Sequence, residues 1–128
     1  MPLGIIITTD KQVTLRDIDG LADMQDIVGG LIEPISMGWM LGHMYVNEEG
    51  MYREECTFNS IASDVMTPYV YNRGGYMPIL GNAFILGALH PNGWHHDVSH
   101  EMRAWVCKVA RDAGGTITND MLLPRKKA

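Results

Sequence analysis

Paired glycines punctuate this chain. Gly29-Gly30 follows Leu21, Met24, Ile27 and Val28, apolar residues at helical spacing, and Gly114-Gly115 follows Val98, Met102, Trp105, Val106 and Val109, which recur in the same way. Glycine enters positive φ at little steric cost and therefore ends helices well, so each pair marks where a periodic segment must stop. The first pair closes a short amphipathic helix with Asp19 at its N-cap position; the second closes a longer helix that Asp97 can open and that runs to about Ala113. Between them, Asn59 can cap another short helix through Met66, with Ile61, Ala62, Val65 and Met66 on one side and Thr67-Pro68 as its stop.

The intervening segments are strand-like. Ile5–Thr9 and Val13–Ile18 are β-branched runs around Asp10-Lys11-Gln12, a pattern that predicts a hairpin. Leu31–Met37 and Met40–Val46 read as two further strands, and Pro34, which has no N–H to give to a ladder, places the first at an edge or at a strand start. Asn47-Glu48-Glu49-Gly50 reads as the turn from Tyr45-Val46 into Met51-Tyr52. Two adjacent carboxylates can do acid–base work when burial splits their pKa values, but at a turn tip water screens them, so Glu48 and Glu49 are expected to be solvated. Ile79–Leu89 reads as a buried strand in which Gly81 and Gly87 allow a bulge or a close backbone approach, and Thr116–Thr118 adds a short strand before a terminal tail. The expectation is an α+β fold: a single compact domain, mostly antiparallel sheet, with two short helices and a longer C-terminal helix. At 128 residues and 46% hydrophobic content, one core without disulfides is within reach.

Charge and cysteine usage narrow the function. A net charge of −5 argues against nucleic acid as a partner, and the basic run Pro124-Arg125-Lys126-Lys127 is short and terminal, as a solvated end would be. Cys56 and Cys107 lack both CxxC spacing and the density of a disulfide framework, and read as reduced thiols of a cytoplasmic protein. Leu3–Ile7 is too short to span a membrane and lacks the flanks of a leader, so no membrane partner is expected.

Two stretches carry candidate chemistry. In the first, His90, His95, His96 and His100 crowd together ahead of Arg103 and Cys107. If the helix begins early enough, His96 and His100 could share a metal ion, with Cys107 as a tempting third ligand. A rise of about 1.5 Å per residue, however, sets Cys107 about 10 Å from His100 along the axis, too far for one ion. His96, His100, Arg103 and Cys107 lie opposite the apolar stripe, so the alternatives are a solvated or interface-forming face, zinc binding, and anion binding near a helix N-terminus. The second stretch is Tyr69-Val70-Tyr71-Asn72-Arg73-Gly74-Gly75-Tyr76. Aromatic faces stack on bases, an arginine fork matches phosphate, and glycines expose N–H groups to anions; the same residues also suit a protein interface or simple packing over the core. The glycines match no dinucleotide or phosphate-loop fingerprint. Trp39 and Trp94 read as core or interface residues. Ser60, Ser63 and Ser99 lack a nucleophile-elbow context and neither cysteine has a defined partner, so no catalytic residue is assigned.

Val28-Gly29-Gly30, Ile32-Glu33, Tyr45-Val46-Asn47-Glu48-Glu49-Gly50, Asn59 with Ala62, and Gly81-Asn82-Ala83-Phe84-Ile85-Leu86-Gly87 occur in a recognisable order. Over roughly residues 5 to 89 they resemble a family of small uncharacterised domains of bacteriophages and actinobacteria. The resemblance implies an α+β scaffold and a phage origin, and carries over no catalytic residue. It divides the chain into a family-like core, 1–89, and a C-terminal helical extension, 90–128, packed on the same domain. Segment 69–77 and everything after Leu89 depart from the family pattern, and a specialised function is expected there. The resulting expectation is a non-catalytic phage protein of the host cytoplasm, homo-oligomeric and without cofactor. It would capture a small nucleotide-derived ligand, such as a host immune signal, through Tyr69, Tyr71, Asn72, Arg73, Gly74, Gly75, Tyr76, His96, His100 and Arg103. The alternatives are an inhibitor that binds a host protein and, third, a metal-dependent hydrolase centred on His95, His96 and His100.

Overall fold

The computed structural model describes residues 2–38, 41–50, 56–70, 76–118 and 121. Strands β1 (Leu3–Ile7) and β2 (Gln12–Asp17) form the expected hairpin, and α1 (Gly20–Val28) follows. Strands β3 (Ile32–Ser36) and β4 (His43–Asn47) pair next, α2 (Ser60–Met66) runs into a 3-10 turn at Thr67–Tyr69, and β5 (Ala83–Leu86) precedes α3 (His100–Asp112) and β6 (Thr116–Ile117). The six strands make one sheet in the order β3-β4-β5-β1-β2-β6, antiparallel throughout except where β6 joins β2 in parallel. The fold is therefore α+β, with α3 the longest helix, and Pro34 sits in edge strand β3, where a missing donor costs nothing.

Alternation along the strands divides the core in two. Ile5, Ile7, Val13, Leu15, Met44, Val46 and Ile85 turn to one face, where α2 and α3 bury them with Ile61, Val65, Met102 and Val106. Phe84 and Leu86 turn to the other, where Ile18 and Val28 meet them and α1 covers β3, β4 and β5. Leu21, expected on the buried stripe of α1, is 57% exposed instead, because nine residues give α1 room for one narrow contact line through Met24, Ile27 and Val28.

Helix ends show where local rules were overridden. Asp19 is the N-cap residue of α1 but makes no side-chain cap; its backbone N–H donates to the Asp23 carboxylate, which also pairs with Arg16. The left-handed C-terminal residue is Gly29, φ 78°, and both Gly29 and Gly30 N–H groups return to the Gln25 carbonyl. Asp97 does not open α3. Ser99 is the cap, accepting from Met102 N, while the Asp97 carboxylate accepts from Leu3 N at 2.7 Å and ties the entrance of α3 to β1. The strand expected over Ile79–Leu89 shortens to four residues flanked by isolated bridges, Phe58 with Leu80 and Leu89 with His95.

Three asparagines of the motifs named above hold backbone to backbone. Asn47 donates to Val28 O and accepts from Glu49 N, fixing the acidic turn to the end of α1 and leaving Glu48 and Glu49 exposed. Asn82 Oδ1 accepts from Thr9 N. Asn59, fully buried, caps α2 through Ala62 N and donates its amide to Ile7 O at 2.9 Å and Gly81 O at 3.0 Å, joining β1, α2 and the approach to β5. Such ties answer the demand of buried peptide groups for partners.

Candidate functional site

Between β5 and α3 the chain makes an excursion, residues 87–96, that returns on itself. Gly87 N donates to His96 O and His96 N to Ala88 O; farther out, His90 N donates to Trp94 O and Gly93 N to His90 O. At its base the backbone strands nearly touch: a Cβ on Gly87 would lie 2.2 Å from Asp97 O and 2.6 Å from His96 O, so only glycine fits. The sequence expectation of a close approach at Gly87 holds. This turn displays Trp94, 65% exposed, and Leu89, 51% exposed, and brings the rings of His90 and His96 together at a tilt of 33° with centroids 4.2 Å apart.

His95 fastens the excursion to the sheet. Its Nδ1 lies 2.7 Å from the Gly87 carbonyl and its Nε2 2.6 Å from the Tyr45 hydroxyl. A carbonyl only accepts, so Nδ1 carries the proton; in the neutral ring Nε2 then accepts from Tyr45. Tyr45 stacks on Phe84, centroids 5.0 Å apart, and burial raises its phenol above the usual range. His43, two residues earlier on the same face of β4, sets its ring edge-on to His95 at 5.5 Å. Its Nδ1 is buried with no hydrogen-bond partner among the described residues, and burial first, the neighbouring His95 second, lower its pKa below 6.5. Sequence reading passes over His43 and takes Tyr45 only as the start of the motif over 45–50, with no role at a site. The available signal was the period-2 pattern of β4, which places both opposite Met44 and Val46.

Apolar Leu41, Ala88 and Leu89 and polar His96, Asp97 and Ser99 line a cleft of about 380 Å³ at the start of α3. The first N–H groups of a helix have no intrahelical acceptor and form the positive end of its dipole. His100 stands exposed as the first residue of α3, and the Asp97 carboxylate is engaged by Leu3 N. Two other clefts have acidic rims. One, about 390 Å³, includes Glu33 and Glu48 beside Met77 and Ile79; the other, about 430 Å³, includes Asp64 and Asp112 beside Trp105. All three carry carboxylates; the cleft at α3 differs in opening at a helix N-terminus and in carrying His96.

The residues singled out from the sequence separate in the structure. His96 and His100 lie at the start of α3, but His96 precedes the helix, so the helical i, i+4 pair does not arise. Arg103 and Cys107, expected on a solvent-facing stripe, are each 5% exposed: the far side of α3 is covered by Met121, whose carbonyl accepts from Arg103 Nη2 at 3.2 Å. Burial also raises the Cys107 thiol. Tyr69 lies half-buried against the core with its phenol raised by burial, and Tyr76 is 49% exposed. Tyr71, Asn72, Arg73, Gly74 and Gly75, and Trp39 as well, lie outside the described residues. Among the described residues no group of three His, Cys, Asp or Glu side chains could hold a metal ion, and no helix is long and apolar enough to cross a membrane.

No curated protein and no solved structure matches the chain. One family model does, over residues 2–111, a span that includes segment 69–77 and continues past Leu89, where the sequence resemblance was drawn to end. The chain belongs to the family described as a domain of unknown function, DUF3846.

Proposed function

We propose that this protein binds a small nucleotide-derived ligand without transforming it, and that the cleft at the start of α3 seats it. The observation that supports the reading is the cleft's mixed lining: apolar Leu41, Ala88 and Leu89, against which a base can lie, and polar His96, Asp97 and Ser99 at the start of α3, where the positive end of the helix favours a phosphate. At about 380 Å³ it falls near the lower end of the roughly 300–1,000 Å³ range of small-molecule sites, which suits one nucleotide unit better than two. The wider setting proposed with it is a homo-oligomeric phage protein that sequesters a host immune signal in the host cytoplasm, of which the sequence resemblance supports the phage origin.

Calorimetry against mononucleotides, cyclic ADP-ribose isomers and cyclic dinucleotides tests the proposal. His96→Ala is expected to weaken a positive hit about tenfold to a hundredfold with the melting temperature unchanged, since one charge-assisted hydrogen bond contributes roughly 1.5–3 kcal/mol and His96 is exposed. Absence of binding across the panel refutes it. A hit unaffected by His96→Ala but lost in Arg73→Ala moves the seat to the Tyr69–Tyr76 segment. The exposed Trp94 and Leu89 on the excursion favour the second reading, an inhibitor that docks on a host protein, as an alternative use of the same surface.

A further inference from the structure

We infer that Tyr45 and His95 are positioning residues for the cleft at α3, and that uptake of a proton at His43, packed edge-on to the His95 ring, releases the excursion that lines the cleft. Gly87, Ala88, Leu89 and His96 belong both to that lining and to the 87–96 turn, and the His95 ring spans from the turn's own base, at Gly87 O, to β4, at Tyr45 Oη. Fixing the ring therefore fixes that lining relative to the sheet. Only the consequence for ligand affinity rests on the function proposed above.

The proton sensitivity follows from what surrounds His43. Its cross-strand neighbours are Ser36 on β3 and Leu86 on β5, Tyr45 shares its face, and His95 approaches from the excursion. None of these can neutralise a cation. Arg16 on β2 is paired with Asp23 on α1, and the shift of His43 has burial and His95 as its causes. A proton on His43 would leave its buried Nδ1 as an N–H with no acceptor among the described residues, with the centroid of the His95 ring 5.5 Å from its own. The fastened form thus holds fewer protons than the released form at mildly acidic pH. The folded pKa of His43 lies below 6.5, so fastening has its full strength above that pH and loses it as pH falls from 6.5 through the lowered value. A deficit of one proton shifts the equilibrium by up to about tenfold per pH unit in that window.

Amide hydrogen exchange of the full chain, corrected for intrinsic rates and read at Gly87, His90 and His96, tests this without any ligand. Between about pH 7.5 and 5, the span in which histidines titrate, their opening constants should rise by up to about tenfold per unit below 6.5, while amides within β1 stay protected. Both His43→Phe, which keeps a ring, and His43→Gln, which keeps polarity, should flatten that rise. Tyr45→Phe should raise opening already at pH 7.5, by about twofold to tenfold for one lost hydrogen bond. Opening that does not change with pH in the parent, or that keeps its slope in both His43 variants, overturns the inference. A positive exchange result together with an empty nucleotide panel overturns the proposed function alone.

Discussion

Replacing Asn59 should do more damage than any other single polar substitution, and the structure says how much. Its Oδ1 satisfies Ala62 N at the start of α2, worth about 0.5–2 kcal/mol as a helix cap, and its amide satisfies two buried carbonyls, Ile7 O and Gly81 O. An orphaned buried acceptor costs about 1–3 kcal/mol, so Asn59→Ala should lose roughly 3–8 kcal/mol against the total of about 5–15 kcal/mol typical of a domain. Asn59→Asp is the sharper test. It keeps the cap but turns a donor into an acceptor facing two carbonyls, so at pH 7 it should lose at least as much as the two orphaned acceptors account for. The new carboxyl can recover one contact only when protonated, which raises its folded pKa; its stability deficit should therefore shrink as pH falls from 7 toward 5, a window in which an ordinary aspartate, pKa about 3.9, stays ionised. Urea denaturation at several pH values, with the m-value checked for constancy, reads this directly. An Asn59→Asp protein within about 1 kcal/mol of the parent at pH 7 would show that the amide contacts contribute nothing beyond the cap.

Gly87→Ala should cost about 1–3 kcal/mol by forcing a methyl against Asp97 O and His96 O, and should abolish cleft binding because those atoms belong to its wall; a variant that melts like the parent contradicts the close approach. The double substitution Glu48→Gln, Glu49→Gln should leave both stability and ligand affinity within about 0.5 kcal/mol of the parent, as surface changes usually do, and a folded variant that loses binding would restore those carboxylates to the site.

The scaffold was readable because its signals are local. The β1–β2 hairpin, Pro34 at an edge or a strand start, the Asn59 cap and a short strand after Gly114-Gly115 each follow from a few neighbouring residues, whereas the parallel pairing of that last strand with β2 does not. What failed were choices between adjacent candidates that long-range contacts decide. Asp97 is a good cap by composition, yet Leu3 N, 94 positions away, claims its carboxylate and leaves the role to Ser99. Likewise Arg103 looks solvent-facing on a helical wheel until Met121 covers it. The candidate site was half legible: the crowding of histidines drew attention to residues 90–100, but the partners that organise them, Tyr45 and His43, come from a strand some 50 positions earlier and are joined to them only by folding.

That division bears on where function can reside in this fold. The motif asparagines have spent their hydrogen-bonding capacity inside the molecule: Asn47 uses both donor and acceptor on backbone partners, and Asn59 uses its acceptor once and its donor twice. With Asn47 4% and Asn59 0% exposed, neither can contact a ligand without dismantling the turn or helix it holds. Asn47 ties the end of β4 to α1 and Asn59 ties β1 and α2 to the approach to β5, while the β4–β5 register places Tyr45 over Phe84 and within reach of His95. The excursion after β5 then inherits a rigid base, at Gly87, and a single imidazole fastening, at His95, while its outer residues remain exposed. Substitutions at Leu89, Trp94 and His96 should therefore alter what is bound at little cost to folding, whereas substitutions at Asn47, Asn59 and Gly87 should alter folding first and binding only through it.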